Sequence, residues 1–165
     1  MKIFKTLTFT AVAAIAITLL FQFSITRAQA GHPVPFKATF HGFAEPATPT
    51  ADPDVFEIVV PLQGTATHLG KFDVLLVHYI NFSTGAFTGH ADWTAANGDT
   101  FTTVFTGQLY PVPGDPALLT FDVTHTVVGG TGRFKGATGS FNGVNGFFNL
   151  VTGEDLGGYL GTFSY

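Results

Sequence analysis

Six histidines are scattered along the chain, and two of them stand where an imidazole is least expected. His125 falls on the apolar side of an alternating segment, with Leu119, Phe121, Val123 and Val127. His78 falls among Phe72, Val74, Leu76 and Ile80. An imidazole on an apolar face must find a hydrogen-bond partner or line a polar spot in a cavity. Buried polar groups are usually paired, so the plain expectation is a satisfied core histidine. The sharper expectation is that His78 and His125 both point into a lumen and orient a ligand there.

Other chemistry-bearing residues are less well placed. His90 and Asp92 share a strand face at i, i+2, which can supply two metal ligands. No second pair accompanies them, and His32, His41 and His68 show no ligand spacing, so no metal site is expected. A Gly-x-Ser-x-Gly elbow is missing and Ser140 falls in a turn-like context, so a catalytic triad finds no support. Glu57, Asp73 and Asp122 are strand acids expected on the solvated face. Any acid turned inward would have a raised pKa and could act as an acid or base. Alternation places Asp122 on the face opposite His125. Asn81-Phe82-Ser83 would accept a glycan only in a eukaryotic secretory pathway. No motif calls for a cofactor, and no catalytic residue is assigned.

The elements that must carry these residues are strands. Segments rich in Thr, Phe and Val recur between glycine and proline punctuation. They run over Phe36–Phe43, Val55–His68, Lys71–Ile80, Ala86–Ala96, Thr100–Leu109, Leu118–Val128, Ser140–Leu150 and Gly157–Tyr165. Three prolines in Ala44–Asp54 mark a loop, as does Pro111–Pro116. Asn97-Gly98 supplies two residues tolerant of positive φ for a hairpin turn. No segment after residue 30 has helical periodicity. Eight successive strands suggest an antiparallel meander, and closure into a barrel would remove its exposed edges. A two-sheet sandwich satisfies the same periodicity.

The stretch "GGTGRFKGATGSF", Gly129 to Phe141, then reads as a barrel corner. Its glycines allow positive φ and close backbone approach, and Phe134 can pack inward as a plug. A phosphate loop is not expected, because no helix follows to supply a positive N-terminus. "HLGKF" at His68–Phe72 and "GTGRF" at Gly130–Phe134 could be equivalent corners. The segment "VVGGTGRFKGATGSFNG" resembles the glycine-rich segment of the allene oxide cyclase and dirigent barrel superfamily. "GTATHLGKF" and "WTAANGDTF" are similar to segments of small exported bacterial proteins with that barrel. The resemblance implies an all-β fold, a single eight-stranded antiparallel barrel with an apolar cavity. It also implies cofactor-free chemistry in the plant members, cyclisation of a fatty-acid epoxide or steering of phenoxy-radical coupling. The cavity acids of those proteins cannot be placed on positions here.

The chain ends and composition bound the rest. Lys2 and Lys5 precede an uncharged apolar run, Leu7 to Phe23, followed by Arg27-Ala28-Gln29-Ala30. That is the pattern of a secretory signal peptide over residues 1–30, cleaved after Ala30, with an uncleaved anchor as the alternative. The expected location is secreted or periplasmic, with one domain over residues 31–165. There is no cysteine, which a domain of this size does not need. All eleven acids lie beyond residue 30, against Lys37, Lys71, Arg133 and Lys135 alone. Such an acidic chain does not suit nucleic acid, nor an anionic lipid surface. Charged residues are 11 % of the whole chain, well under the usual ~25 %.

The expected partner is therefore a small apolar ligand held in the lumen, where eight strands leave room for side chains or one small molecule. Three alternatives stay open. One is a cofactor-free cyclase or isomerase. Another is a ligand-free structural surface protein. The last is an outer-membrane barrel, suggested by the alternating tail Tyr159, Phe163, Tyr165 but short of aromatic girdles and strand length.

Overall fold

A computed structural model describes residues 31–165; the expected signal peptide lies outside the described residues. The elements are β1 (Val34–Phe43), β2 (Thr48–Pro49), β3 (Val55–Ala66), β4 (Gly70–Asn81), β5 (Ala86–Ala95), β6 (Thr100–Val112), β7 (Asp115–Gly130), β8 (Thr138–Asn149) and β9 (Glu154–Ser164). A single 3-10 turn, Gly132–Phe134, lies between β7 and β8. From β3 to β9 each strand pairs antiparallel with its chain neighbour. β9 pairs with β1, and β1 pairs back onto β3. Eight strands thus close into an antiparallel barrel, and the sandwich alternative is set aside. β2 is a two-residue addition on the outer edge of β3, within the proline-rich loop.

The abundance of glycine and that of phenylalanine have one joint cause. Several inward glycines sit directly across a strand pair from an inward aromatic. Gly89 faces Phe105, and Gly107 faces Phe87. Gly157 faces Phe40, and Gly64 faces Phe72. In each pair the ring lies where a Cβ on the glycine would be. A ring laid over a glycine on the next strand covers bare backbone and fills the lumen without bulging the wall.

The two barrel ends differ. One end carries the β3–β4, β5–β6 and β7–β8 connections. Here Phe36, Trp93, Phe101, Phe134, Phe141 and Phe163 are all fully buried. Trp93 stacks on Phe101 at 5.3 Å, and Phe134 meets Phe101 and Phe163 edge-on or tilted, each at 5.4 Å. The expected plug is therefore in place, with Phe134 0 % exposed. The 3-10 turn that presents it is one turn inside a corner, not the start of a helix. Gly132 has φ 54° and packs against the Asp99 side chain. The Arg133 amide donates to Asp99 Oδ2 at 3.2 Å, and the Thr131 amide to the Thr100 carbonyl at 2.7 Å. The glycine corner and the Asn97-Gly98 hairpin are thus stitched together.

Three local expectations are corrected. In the hairpin only Gly98 has positive φ, at 84°. Its amide donates to the Ala95 carbonyl and the Ala95 amide to the Asp99 carbonyl, so the loop is of the three-residue kind with glycine in the left-handed position. Pro111–Pro116 is mostly strand. β6 and β7 extend to a two-residue turn at Pro113-Gly114, with φ 87° at Gly114, the pattern a type II turn asks for. The "HLGKF" and "GTGRF" corners do close the same end, but through Leu69 in one and Phe134 in the other, since Phe72 already lies within β4.

Candidate ligand site in the lumen

Toward the other end the aromatic packing gives way to a cavity of about 40 Å3. Counted out to its mouth in solvent, the recess is about 490 Å3. Its wall is mainly apolar, with Val60, Leu76, Ile80 and Val123 beside Phe87 and Phe121 among the lining residues. Four polar side chains reach it: His78 from β4, His125 from β7, and Asp155 and Tyr159 from β9. The two histidines singled out in the sequence are thus brought to one cavity. Period-two alternation turns both inward, and it leaves Asp73 and Asp122 exposed on the outer wall.

His125 is 0 % exposed and forms the floor of the cavity. Its ring stacks on Phe141 at 5.0 Å and lies 4.8 Å from Phe105, which on its other side is 4.8 Å from His78. Its Nδ1 is 3.0 Å from the Thr103 hydroxyl, and that hydroxyl accepts from Trp93 Nε1–H at 3.1 Å. The indole can only donate. Thr103 Oγ1 has no other hydrogen-bond partner among the described residues. Its own proton is therefore used only when donated to His125 Nδ1, which leaves the imidazole proton on Nε2. Nε2 has no partner among the described residues. A relay of three strands therefore sets the tautomer and aims a buried N–H donor. Ser140, which lies in β8 and not in a turn, donates its hydroxyl to the His125 carbonyl at 2.9 Å.

Two further buried atoms lack partners, His78 Nδ1 and Asp155 Oδ1. Orphaned buried polar atoms are few in native proteins, and three around one cavity call for something to meet them. Burial holds the His78 imidazole down at about 4, partly offset by the Ile58 backbone. Burial, and secondarily the nearness of His78, holds His125 at about 3. Burial raises the Asp155 carboxyl to about 7, against the pull of His41. Burial and the Asp155 charge push the Tyr159 phenol well up. Between the histidine values and about pH 6 the lumen is thus polar at four points but close to uncharged.

A bulge in β8 lies beside this site. Asn145 has φ 53°, and the β8–β9 register shifts between Val144 and Phe147. Gly146 there lies under the Phe121 ring, a cavity-lining group. Bulges concentrate at sites where a side chain has to be re-aimed.

Asp155 escaped the sequence reading because the last strand was expected to start at Gly157, and it starts at Glu154. The signal was present: Asp155, Gly157, Tyr159, Gly161 and Phe163 recur at period two. Of the alternating tail that suggests the outer-membrane alternative, Tyr159 and Phe163 point inward and Tyr165 is exposed. His90 and Asp92 lie on the outer face, where Asp92 accepts from the Thr102 hydroxyl at 2.8 Å. Among the described residues no group of three or more His, Asp or Glu is arranged to hold a metal ion. No family model, no curated protein and no solved structure matches the chain.

Proposed function

We propose that this protein is an exported small β-barrel that binds a small apolar ligand in its lumen. The observation that carries the reading is the cavity at the open end, apolar in its walls and ringed by three unpartnered polar atoms. Ligand sites are concave and mostly apolar, with a few polar groups that fix orientation. Export is proposed from the Lys2-to-Ala30 pattern alone. The outer wall carries Lys37, Asp73, Asp92 and Asp122 within strands while the interior is apolar. Membrane barrels have the reverse arrangement, which supports the lumen-binding reading over that alternative.

A second reading, a cofactor-free cyclase or isomerase of the allene oxide cyclase or dirigent type, is favoured by one observation. Asp155 and Tyr159 both face the lumen, and both hold their protons to higher pH than usual. A carboxyl poised near neutral pH is suited to general acid or base work.

The test is a titration with neutral N-phenyl-1-naphthylamine, whose fluorescence rises in an apolar site and whose rings would lie in the wider recess of about 490 Å3. The expected result is saturable binding of one probe per chain, displaced by small apolar molecules. Folded protein that gives no saturable signal would overturn the reading.

A further inference from the structure

We infer that the lumen is built for a neutral alcohol, its hydroxyl seated among His125, His78 and Asp155 and its hydrocarbon tail leaving through the mouth over Ile58 and Phe148. This rests on the lumen-binding reading and names the ligand class it would take.

The hydrogen-bond requirement comes first. The relay from Trp93 through Thr103 leaves His125 Nε2 as an unmet donor. Asp155 Oδ1 is an unmet carboxyl oxygen of a residue lining the same cavity, and His78 Nδ1 is an unmet atom of a third lining residue. A hydroxyl both accepts and donates. It can take the His125 proton and give its own to a facing acceptor. An ether or a ketone accepts only, and would leave one side of the pair unsatisfied at the full desolvation cost.

Charge comes second. Of the described cations, Lys37, Lys71, Arg133 and Lys135 are exposed on the outer wall or at the plugged end. The lumen histidines are held neutral by burial. A carboxylate ligand would meet no cation inside the lumen, since His41, which acts on Asp155 through the wall, lies outside and is paired with Glu154 at 2.9 Å. It would also lie beside an acidic side chain, which is costly in an apolar site. The site therefore selects against anions of the same length.

Size comes third. The 40 Å3 cavity is far below the ~150 Å3 that holds benzene in a well-studied apolar site. It accommodates a hydroxyl and the first carbons only. A groove of about 300 Å3 at the mouth shares Ile58 and Phe148 with it, and is lined also by Phe82, Leu150 and Val151. Those three side chains are exposed apolar groups around the open end. Ile58 and Phe148 line both spaces, so the tail would pass over these two side chains from one to the other.

The experiment is isothermal titration calorimetry of the full chain at pH 6 with 1-octanol, octanoate and octyl methyl ether, beside the naphthylamine titration. The expected result is one octanol per chain, with octanoate and the ether each at least ~10-fold weaker. His125→Phe should erase the difference between alcohol and ether. Should that variant not fold, Asp155→Asn should narrow the gap between octanoate and octanol. Val151→Asp at the mouth should weaken octanol and ether alike. Octanoate or ether binding as tightly as octanol would overturn the alcohol assignment. With the naphthylamine still bound, that result would leave the lumen-binding reading standing. Failure of the naphthylamine and all three chains to bind would overturn both.

Discussion

The plugged and open halves of this barrel are lined by the same eight strands, yet they solve different problems. In the plugged half rings that touch other rings fill most of the interior, with Leu69, Ala95, Val127 and Ala137 between them, and the Trp93 and Thr103 polar atoms are paired. Trp93 and Thr103 hand their hydrogen bonds on until the chain ends at His125. In the open half aliphatic side chains such as Val60, Leu76 and Val123 alternate with the rings, and the three unpartnered atoms all occur there. Rigid packing on one side fixes the tautomer and orientation of a group exposed to the other. The barrel separates a stabilising half from a half free to carry chemistry, with His125 at the boundary.

Removing the plug should break this division most severely. Phe134→Ala is expected to cost about 3–5 kcal/mol in denaturant unfolding, because the ring is wholly enclosed. Phe148→Ala, at the half-buried mouth, should cost only about 1–2 kcal/mol. Equal losses would mean that the two halves are not energetically distinct.

The second test uses pH. Asp155 has its folded pKa raised from 3.8 to about 7. Its contribution to stability is fully present below pH 3.8 and is lost as pH rises through 7. His78 and His125 have folded pKa values lowered from 6.5 to about 4 and 3. Their contribution is present above 6.5 and lost as pH falls. The protein should accordingly be most stable near pH 6.5. Asp155→Asn should gain on the parent between pH 4 and pH 8, by up to about 4 kcal/mol at ~1.4 kcal/mol per pKa unit. A constant difference across that range would show that the carboxyl is not buried in the lumen.

The pairing of inward glycines with facing rings predicts a smaller effect. Gly107→Ala would place a methyl in the Phe87 ring and push that ring toward the cavity. Overpacking of this kind costs about 1–3 kcal/mol. Probe affinity should fall with stability, whereas Gly130→Ala at the plugged end should lower stability alone. The smallest effect is expected at the surface. Arg133 lies 4.7 Å from the centre of the Phe134 ring and 3.8 Å from Asp99. Arg133→Ala should cost under about 1 kcal/mol, since exposed pairs and cation–π contacts contribute little.

Much of the barrel was legible because its inward and outward faces alternate so regularly. Leu118–Val128 alone sorts His125 from Asp122, and the same rule turns His78 inward. Phe134 was legible as a plug because a lone ring in a glycine-rich corner has few other places to go. Asp155 was not, because Thr-Gly-Glu-Asp reads locally as a turn, and only pairing with β1 and β8 extends the strand through it. The Trp93–Thr103–His125 relay was also out of reach. It depends on the register of three strands, which local periodicity does not set. Nor could a period of two tell whether the alternating tail pointed Tyr159 and Phe163 inward or outward.

The central claim is that His125 presents an unmet Nε2–H to a ligand in the lumen. Long-range 1H–15N spectra of the histidine imidazoles, recorded at pH 6 during an octanol titration, test it most directly. His125 should be neutral, carry its proton on Nε2, and shift saturably as octanol is added. A charged imidazolium, a proton on Nδ1, or resonances that stay fixed in folded protein at saturating octanol would contradict it.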